Sequence, residues 1–321
     1  MALPAALSPA PIASWQVLDL LSHLVDKSLA VYEEDEEDEE GQGRYRLLET
    51  VRQYARDQLM ESGTGEACRT RHRDHFRALA EEAKPNLSGP EQTRWLDTLE
   101  SEHDNLRAAL EWCLDEEGAQ AGLRLAGALW LFWRRRGHLS EGRQRCAAAL
   151  SRPGVARERT KAQADTLHGA GTLAWMQGDM ASARALLEES LAIQREIGNK
   201  YGIAIALNNL GLVASDQGDT ASARVLFEES LATMRELGDK SGISLPLAGL
   251  AGVALKQGDT VAAQAFIEES LAIERELGNK QGLAGSLNSL GQPPLVGPIG
   301  SLVSNDFCPS GDSADQRPAN S

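Results

Sequence analysis

A period of forty residues constrains this chain more than any other feature. Written as blocks 161–200, 201–240 and 241–280, adjacent blocks match at 21 of 40 positions. EESLA recurs at 188–192, 228–232 and 268–272, and QGD at 177–179, 217–219 and 257–259. A fixed period of this length specifies a stacked array, in which each unit buries its apolar face only against its neighbours.

In the middle block, IAIALNNLGLVASDQ (203–217) places apolar residues at helical spacing, and QGD then breaks the helix. Gly218 is free to adopt a positive φ, and Asp219 and Thr220 can cap the next helix. This second helix, about 220–237, carries Ala223, Leu226, Phe227, Leu231 and Leu237 as one stripe, and GDK at 238–240 closes it with glycine at the C-terminal cap. Each block is predicted to be a helical hairpin. Leu207, Leu210, Gly211, Ala214, Ala223 and Phe227 resemble the tetratricopeptide repeat, with Leu at its first large position and Ala in place of its aromatic. The period of forty rather than about thirty-four resembles the longer-armed repeats of bacterial signalling ATPases. The resemblance covers residues 158–291.

Residues 281–291, QGLAGSLNSLG, match the start of the middle block and are expected to open a fourth hairpin that the prolines of QPPLVGPIG stop. Residues 292–321, rich in Pro, Gly and Ser, are expected to be a disordered tail. The tail is either a natural extension after a half-repeat cap or the product of a truncated or shifted reading frame. The second reading is preferred because Leu283, Leu287 and Leu290 would be left half covered.

Residues 15–62 read differently: a helix (about 16–24), a strand (SLAVYE), an acidic loop, a second strand (RYRLLE) and a helix (about 48–61), the order of a small winged-helix unit. LVDKSLAVYE followed by RYRLLETVRQYARDQL resembles the winged-helix segment beside the nucleotide-binding module of bacterial STAND-class ATPases, the LuxR-like and NB-ARC-type signal-transduction regulators. LSGPEQTRWLDTLESEHDNLRAALEWCL resembles their helical connector. The expected fold is mainly α: a disordered entry (1–14), the winged-helix unit (15–62), the connector (63–120), a degenerate leading repeat (121–157) with Gly137 in its turn, and a tetratricopeptide-type α-solenoid (158–291). The resemblance implies that the winged helix packs on the ATPase module and helps hold an inactive state. That module's P-loop, GxxxxGK[ST], is not in this chain, so the module is expected upstream of Met1 in full-length relatives.

Charge narrows the partners. The net charge is -15, of which EEDEEDEE at 33–40 supplies eight negative charges. Because this run would tip the wing, bringing the winged helix to a phosphate backbone is repulsive, and nucleic acid is disfavoured as a partner. Cys68, Cys113, Cys146 and Cys308 are far apart, which supports reduced thiols in a cytoplasmic protein. The apolar N-terminus lacks the basic start of a signal peptide, its first Lys being Lys27. No run of about 18 apolar residues marks a membrane span. Cys68, His72 and His75 share a helix face, but a fourth ligand is not evident and the segment is basic, so no metal is assigned. No nucleophile and base pattern or cofactor motif is found, so no catalysis and no cofactor are expected. Arg134, Arg135 and Arg136 are read as a solvated helix end.

The register of the repeats names the residues expected on the groove formed by the first helices. They are Asp165, His168, Thr172, Trp175 and Met176 in the first block and Ile205, Asn208, Asn209, Leu212, Ser215 and Asp216 in the second. The third supplies Leu245, Ala248, Gly249, Gly252, Leu255 and Lys256, its glycines leaving the groove nearly bare. Such a surface suits a protein or peptide whose backbone needs hydrogen-bond partners. It lacks the several cations of a carboxylate clamp. The chain is accordingly expected to be a non-enzymatic sensor or interaction segment of a regulator, receiving a protein or small-molecule signal. A free-standing adaptor that binds partner peptides is the alternative.

Overall fold

The computed structural model describes residues 14–34, 43–113, 119–152, 155 and 159–277. Residues 1–13, most of the acidic run, Cys308, the expected opening of a fourth hairpin and the residues after it lie outside the described residues. The chain divides into two compact units, Met1–Arg71 and His72–Ser321.

The first unit holds α1 (Ser14–Asp26), β1 (Ala30–Glu34), β2 (Gly43–Leu47), α2 (Glu49–Glu61) and the start of α3 (Gly65–Asn86). The strands pair antiparallel with Tyr32 opposite Tyr45, whose rings lie 4.9 Å apart. Alternation puts these two side chains on one face of the hairpin, where an aromatic pair adds cross-strand stability. Ala30 is the one buried apolar residue of this unit among the described residues, whereas Trp15 (70% exposed), Leu18 (60%) and Tyr54 (67%) are open.

The second unit is helical throughout its described residues. The remainder of α3, α4 (Gln92–Ser101) and α5 (His103–Trp112) pack with α6 (Ala119–Arg136) and α7 (Leu139–Leu150), the hairpin of the leading repeat. Their shared core runs from Phe76 through Leu99, Leu106, Phe132 and Trp133 to Leu173. Three hairpins follow: α8 (Lys161–Met176) with α9 (Met180–Glu196), α10 (Lys200–Asp216) with α11 (Thr220–Leu237), and α12 (Lys240–Lys256) with α13 (Thr260–Leu277).

The recurring QGD makes the turn inside each hairpin. Gly218 takes φ +83°, the Asp219 amide donates back to the Ala214 carbonyl at 2.9 Å, and the Asp219 carboxylate accepts from the Ser222 amide at 3.0 Å. One residue ends α10 and the next starts α11, which fixes the reversal within three positions. Ser230 of EESLA is fully buried and donates to the Ala204 carbonyl at 2.8 Å; Ser190 does the same to Ala164 one block earlier. Outside, Arg195–Glu229 and Arg235–Glu269 repeat as ion pairs between the second helices of neighbouring hairpins.

Three expectations change. Leu237 is 41% exposed, and the inward position belongs to Met234, fully buried one turn earlier. Leu237 closes the last turn of α11, beyond the stretch that faces a neighbour. Gly249 does not face an empty groove: a Cβ there would lie 2.5 Å from the Phe227 ring, and one on Gly211 would lie 2.7 Å from the same ring. The two glycines accept Phe227 between the first helices of successive hairpins. Finally, Arg136 is not a solvated helix end, since it pairs with Asp97 and lies 3.8 Å from Glu100.

Candidate functional site: the first-helix face of the repeats

The first helices α8, α10 and α12 are successive neighbours, and the polar residues of their shared face join into a ladder. The Asn208 amide donates to Asn209 Oδ1 at 3.3 Å, and Asn209 Nδ2 donates to Thr172 Oγ1 at 3.1 Å and lies 3.4 Å from His168 Nε2. Thr172 is committed in turn, its hydroxyl donating to the His168 carbonyl at 2.9 Å. Farther along, the Trp175 indole N–H donates to Asp216 Oδ2 at 2.8 Å. Lys256 Nζ donates to the Ser215 carbonyl at 2.7 Å and lies 3.1 Å from its hydroxyl.

Of the named residues, these bonds join His168, Thr172, Trp175, Asn208, Asn209, Ser215, Asp216 and Lys256, whereas Asp165 pairs with Lys84 and Lys161. Met176 and Leu245 are exposed, and His168, Trp175, Ile205, Asn209 and Asp216 are half-buried. Thr172, Asn208, Leu212 and Ser215, expected on the open groove, are instead buried, Leu212 packing with Phe227 and Leu231 because its side chain turns into the contact between hairpins. Trp175 packs against the apolar clusters of the following hairpin. Lys256 caps the C-terminal carbonyls of α10, a use that matches the sign of the helix dipole and removes the cation from carboxylate duty.

Electrostatics at the α8 end is closed on itself. Asp165 is buried, which raises its pKa, but Lys84 at 3.0 Å and Lys161 at 2.6 Å outweigh that effect and hold it below the usual carboxylate range. Burial lowers His168 to about 4, assisted by Lys84 and Arg134 and opposed by Asp165. A neutral His168 standing edge-on to Trp130 at 5.2 Å fits an acceptor nitrogen facing Asn209. A recess of ≈310 Å³ beside it is lined by Glu81, Lys84, Arg124, Lys161 and Asp165. Its charges are paired, Arg124 gripping Glu81 at 2.6 Å.

Two buried acceptors on the ladder, Asn208 Oδ1 and Asp216 Oδ1, have no hydrogen-bond partner. Leaving such an atom unsatisfied costs about 1–3 kcal/mol, and both atoms are closed to solvent, so a bound chain reaches them only if the face moves locally. The Thr172 hydroxyl donates to a helix carbonyl, so Thr172 and His168 do not form a nucleophile and base pair. Sequence reasoning did not anticipate the buried serines of EESLA or the Trp175–Asp216 bond. The serine signal was present: a polar residue recurs in every block at a position whose helical phase is inward.

The winged-helix segment presents arginines whose nearest partners are acidic: Arg46 pairs with Glu33 at 2.6 Å and Arg52 with Glu49 at 2.5 Å. Among the described residues, no helix is long and apolar enough to cross a membrane.

This architecture is a mainly α, tetratricopeptide-type solenoid preceded by a small winged-helix unit. Residues 162–236 match the family described as tetratricopeptide repeat, and residues 9–60 match the winged helix-turn-helix domain. A protein of Mycobacterium tuberculosis named "Putative HTH-type transcriptional regulator" is 36% identical over 199 residues, covering 60% of this chain and 22% of its own length. A second protein of that organism, named only as uncharacterized, is 41% identical over 63 residues, 20% of this chain and 15% of its own. The chain thus spans about a fifth of the length of these curated relatives.

Among solved structures, aspartyl phosphate phosphatase F from Bacillus subtilis matches with TM-score 0.53 at 12% identity, covering 90% of this chain and 69% of that one. BtubC from P. vanneervenii matches with TM-score 0.50 at 17% identity, covering 66% and 92%. At these identities the likeness concerns the helical fold alone.

Proposed function

We propose that this chain is the sensor and interaction segment of a bacterial STAND-class signal-transduction regulator, and that it binds a protein or peptide along the first-helix face of its repeats. The observation that carries the proposal is the order of its parts: a winged helix-turn-helix domain precedes a tetratricopeptide array, in a chain 36% identical over 199 residues to a protein named as a transcriptional regulator. The half-buried polar side chains of the ladder, His168, Asn209 and Asp216, support a ligand that brings hydrogen-bonding groups to this face. His168, Thr172, Trp175, Met176, Ile205, Asn208, Asn209, Leu212, Asp216 and Lys256 form or support that surface. The exposed Trp15, Leu18 and Tyr54 favour a winged helix covered by another module over a free-standing adaptor.

In this reading the segment does no chemistry. The partner on the winged helix is the nucleotide-binding module of the full-length regulator, and the protein acts in the cytoplasm. Binding on the repeats favours one arrangement of the array and thereby biases the ATPase. The test is to fuse a STAND nucleotide-binding module ahead of Met1 and measure ATP hydrolysis with and without residues 158–277. A rate that changes on deletion supports the sensor role; a rate indifferent to it sinks the role.

A further inference from the structure

Away from the repeat ladder, two histidines and a carboxylate converge where the connector meets the leading hairpin. Glu100 lies in the last turn of α4 and His103 begins α5, the break at Glu102 leaving Glu100 Oε1 3.8 Å from His103 Nδ1. His138 directly precedes α7, just after the positive-φ turn at Gly137. One ligand atom from each of the three lies within 4.8 Å of the others. We propose that Glu100, His103 and His138 bind a zinc-class divalent cation that clasps the connector to the leading hairpin.

The distances are those of a site able to close. The Glu100 oxygens lie 3.1 and 3.2 Å from His138 Nε2, and Oε1 lies 3.8 Å from His103 Nδ1. Metal bonds of about 2.0–2.2 Å in a tetrahedron set donor atoms roughly 3.3 Å apart, so the Glu100–His138 pair is nearly in place, the Glu100–His103 pair must close by about 0.5 Å, and the two histidine nitrogens, within 4.8 Å of each other, by up to about 1.5 Å. Two imidazoles and a carboxylate are a zinc donor set, and the half-exposed Glu100 and His138 leave the fourth position to water.

The second observation is His103 itself. It is 7% exposed, packs edge-on to Phe132 at 5.3 Å, and its Nε2 is buried without a hydrogen-bond partner. That nitrogen faces Glu141 Oε2 at 3.4 Å, and Glu141 is gripped by Arg107 through bonds of 2.7 and 2.6 Å. A cation on Nδ1 fixes the proton on Nε2, where the orphaned nitrogen becomes a donor to Glu141. This is the carboxylate–histidine–metal arrangement that orients and strengthens a ligand.

The surrounding charges permit a cation. Around the three ligands, Glu141, Asp97, Asp104 and Glu111 pair with Arg107, Arg136 and Arg145, four carboxylates against three guanidiniums, and Glu100 adds its own charge.

Tag-free protein stripped with chelator and titrated with zinc chloride at pH 7 should bind one equivalent at micromolar affinity or tighter by calorimetry, and Co2+ should give the strong visible absorption of a tetrahedral site. Glu100→Gln and His138→Gln should each weaken binding by at least about 10-fold, and Glu141→Gln, which removes only the outer carboxylate, by about 10- to 100-fold. A control variant, His72→Gln with His75→Gln, should bind as wild type, and circular dichroism should show all variants folded. No binding at 100-fold excess over protein would overturn the proposal. So would binding unchanged in folded Glu100→Gln and His138→Gln, because the ion would then sit elsewhere.

Discussion

Replacing Gly211 by alanine should destabilise the array although alanine is the better helix former. The new Cβ would lie 2.7, 2.8 and 3.0 Å from three ring carbons of Phe227, where carbon atoms prefer about 3.5–4.0 Å. Phe227 is fully buried and cannot retreat, because its ring also lies 2.5 Å from where a Cβ on Gly249 would stand. Overpacking of this kind costs about 1–3 kcal/mol, against about 1 kcal/mol gained in helix propensity. The net loss expected is up to about 2 kcal/mol. The third block shows the permitted alternative, with Ala251 and Ile267 sharing a cluster at the positions that Gly211 and Phe227 hold one block earlier. Phe227→Ile should therefore partly rescue Gly211→Ala, with a favourable coupling of about 1 kcal/mol in a double-mutant cycle. Urea unfolding tracked by helical circular dichroism gives all four corners. Additivity within about 0.3 kcal/mol, or a stabilised Gly211→Ala, would refute the packing argument.

Other consequences rest on single contacts. Ser230→Ala removes the buried hydroxyl from the Ala204 carbonyl and should cost about 1 kcal/mol, with Ser190→Ala costing a similar amount in the same urea assay. His168 has its native pKa lowered from 6.5 to about 4, so the unfolded chain takes up a proton that the folded chain refuses. Stability should fall as pH drops from 6.5 towards 4, and His168→Gln should flatten that slope by up to one proton, read from urea midpoints across the range. Asp219 has its carboxyl held low by the Ser222 hydroxyl and amide. The cap's contribution is complete above the ordinary carboxylate pKa and is lost as pH falls through the lowered one, so Asp219→Asn should weaken acid sensitivity in thermal melts. Pro246 is buried within α12, where a proline loses a backbone bond and crowds the preceding turn. Pro246→Ala, which restores the residue type of Ala206 one block earlier, should raise the melting temperature.

The array was legible because its sequence repeats: glycine, aspartate and the apolar stripe recur at one period, so each block checks the next. What escaped were contacts that need a second element to define them. Gly249 reads as an empty place until Phe227, contributed by the preceding hairpin, fills it. Leu237 and Met234 both suit an apolar stripe, and only the extent of the neighbouring helix decides that Met234 is the buried one. The Arg136 pairs and the His103–Glu141 approach join residues more than thirty positions apart with no repeat to reveal them. In the winged-helix segment, alternation announced the hairpin, but no pattern in the chain announces its many exposed apolar side chains.

The central claim, that the first-helix face receives a protein or peptide, is tested most directly by selecting binding peptides from a displayed library and mapping one of them by amide hydrogen exchange. The account predicts protection concentrated on α8, α10 and α12, and loss of binding in folded Trp175→Ala and Asn209→Ala variants. Protection confined to the outer helices α9, α11 and α13, with binding unaffected by both substitutions, would contradict it.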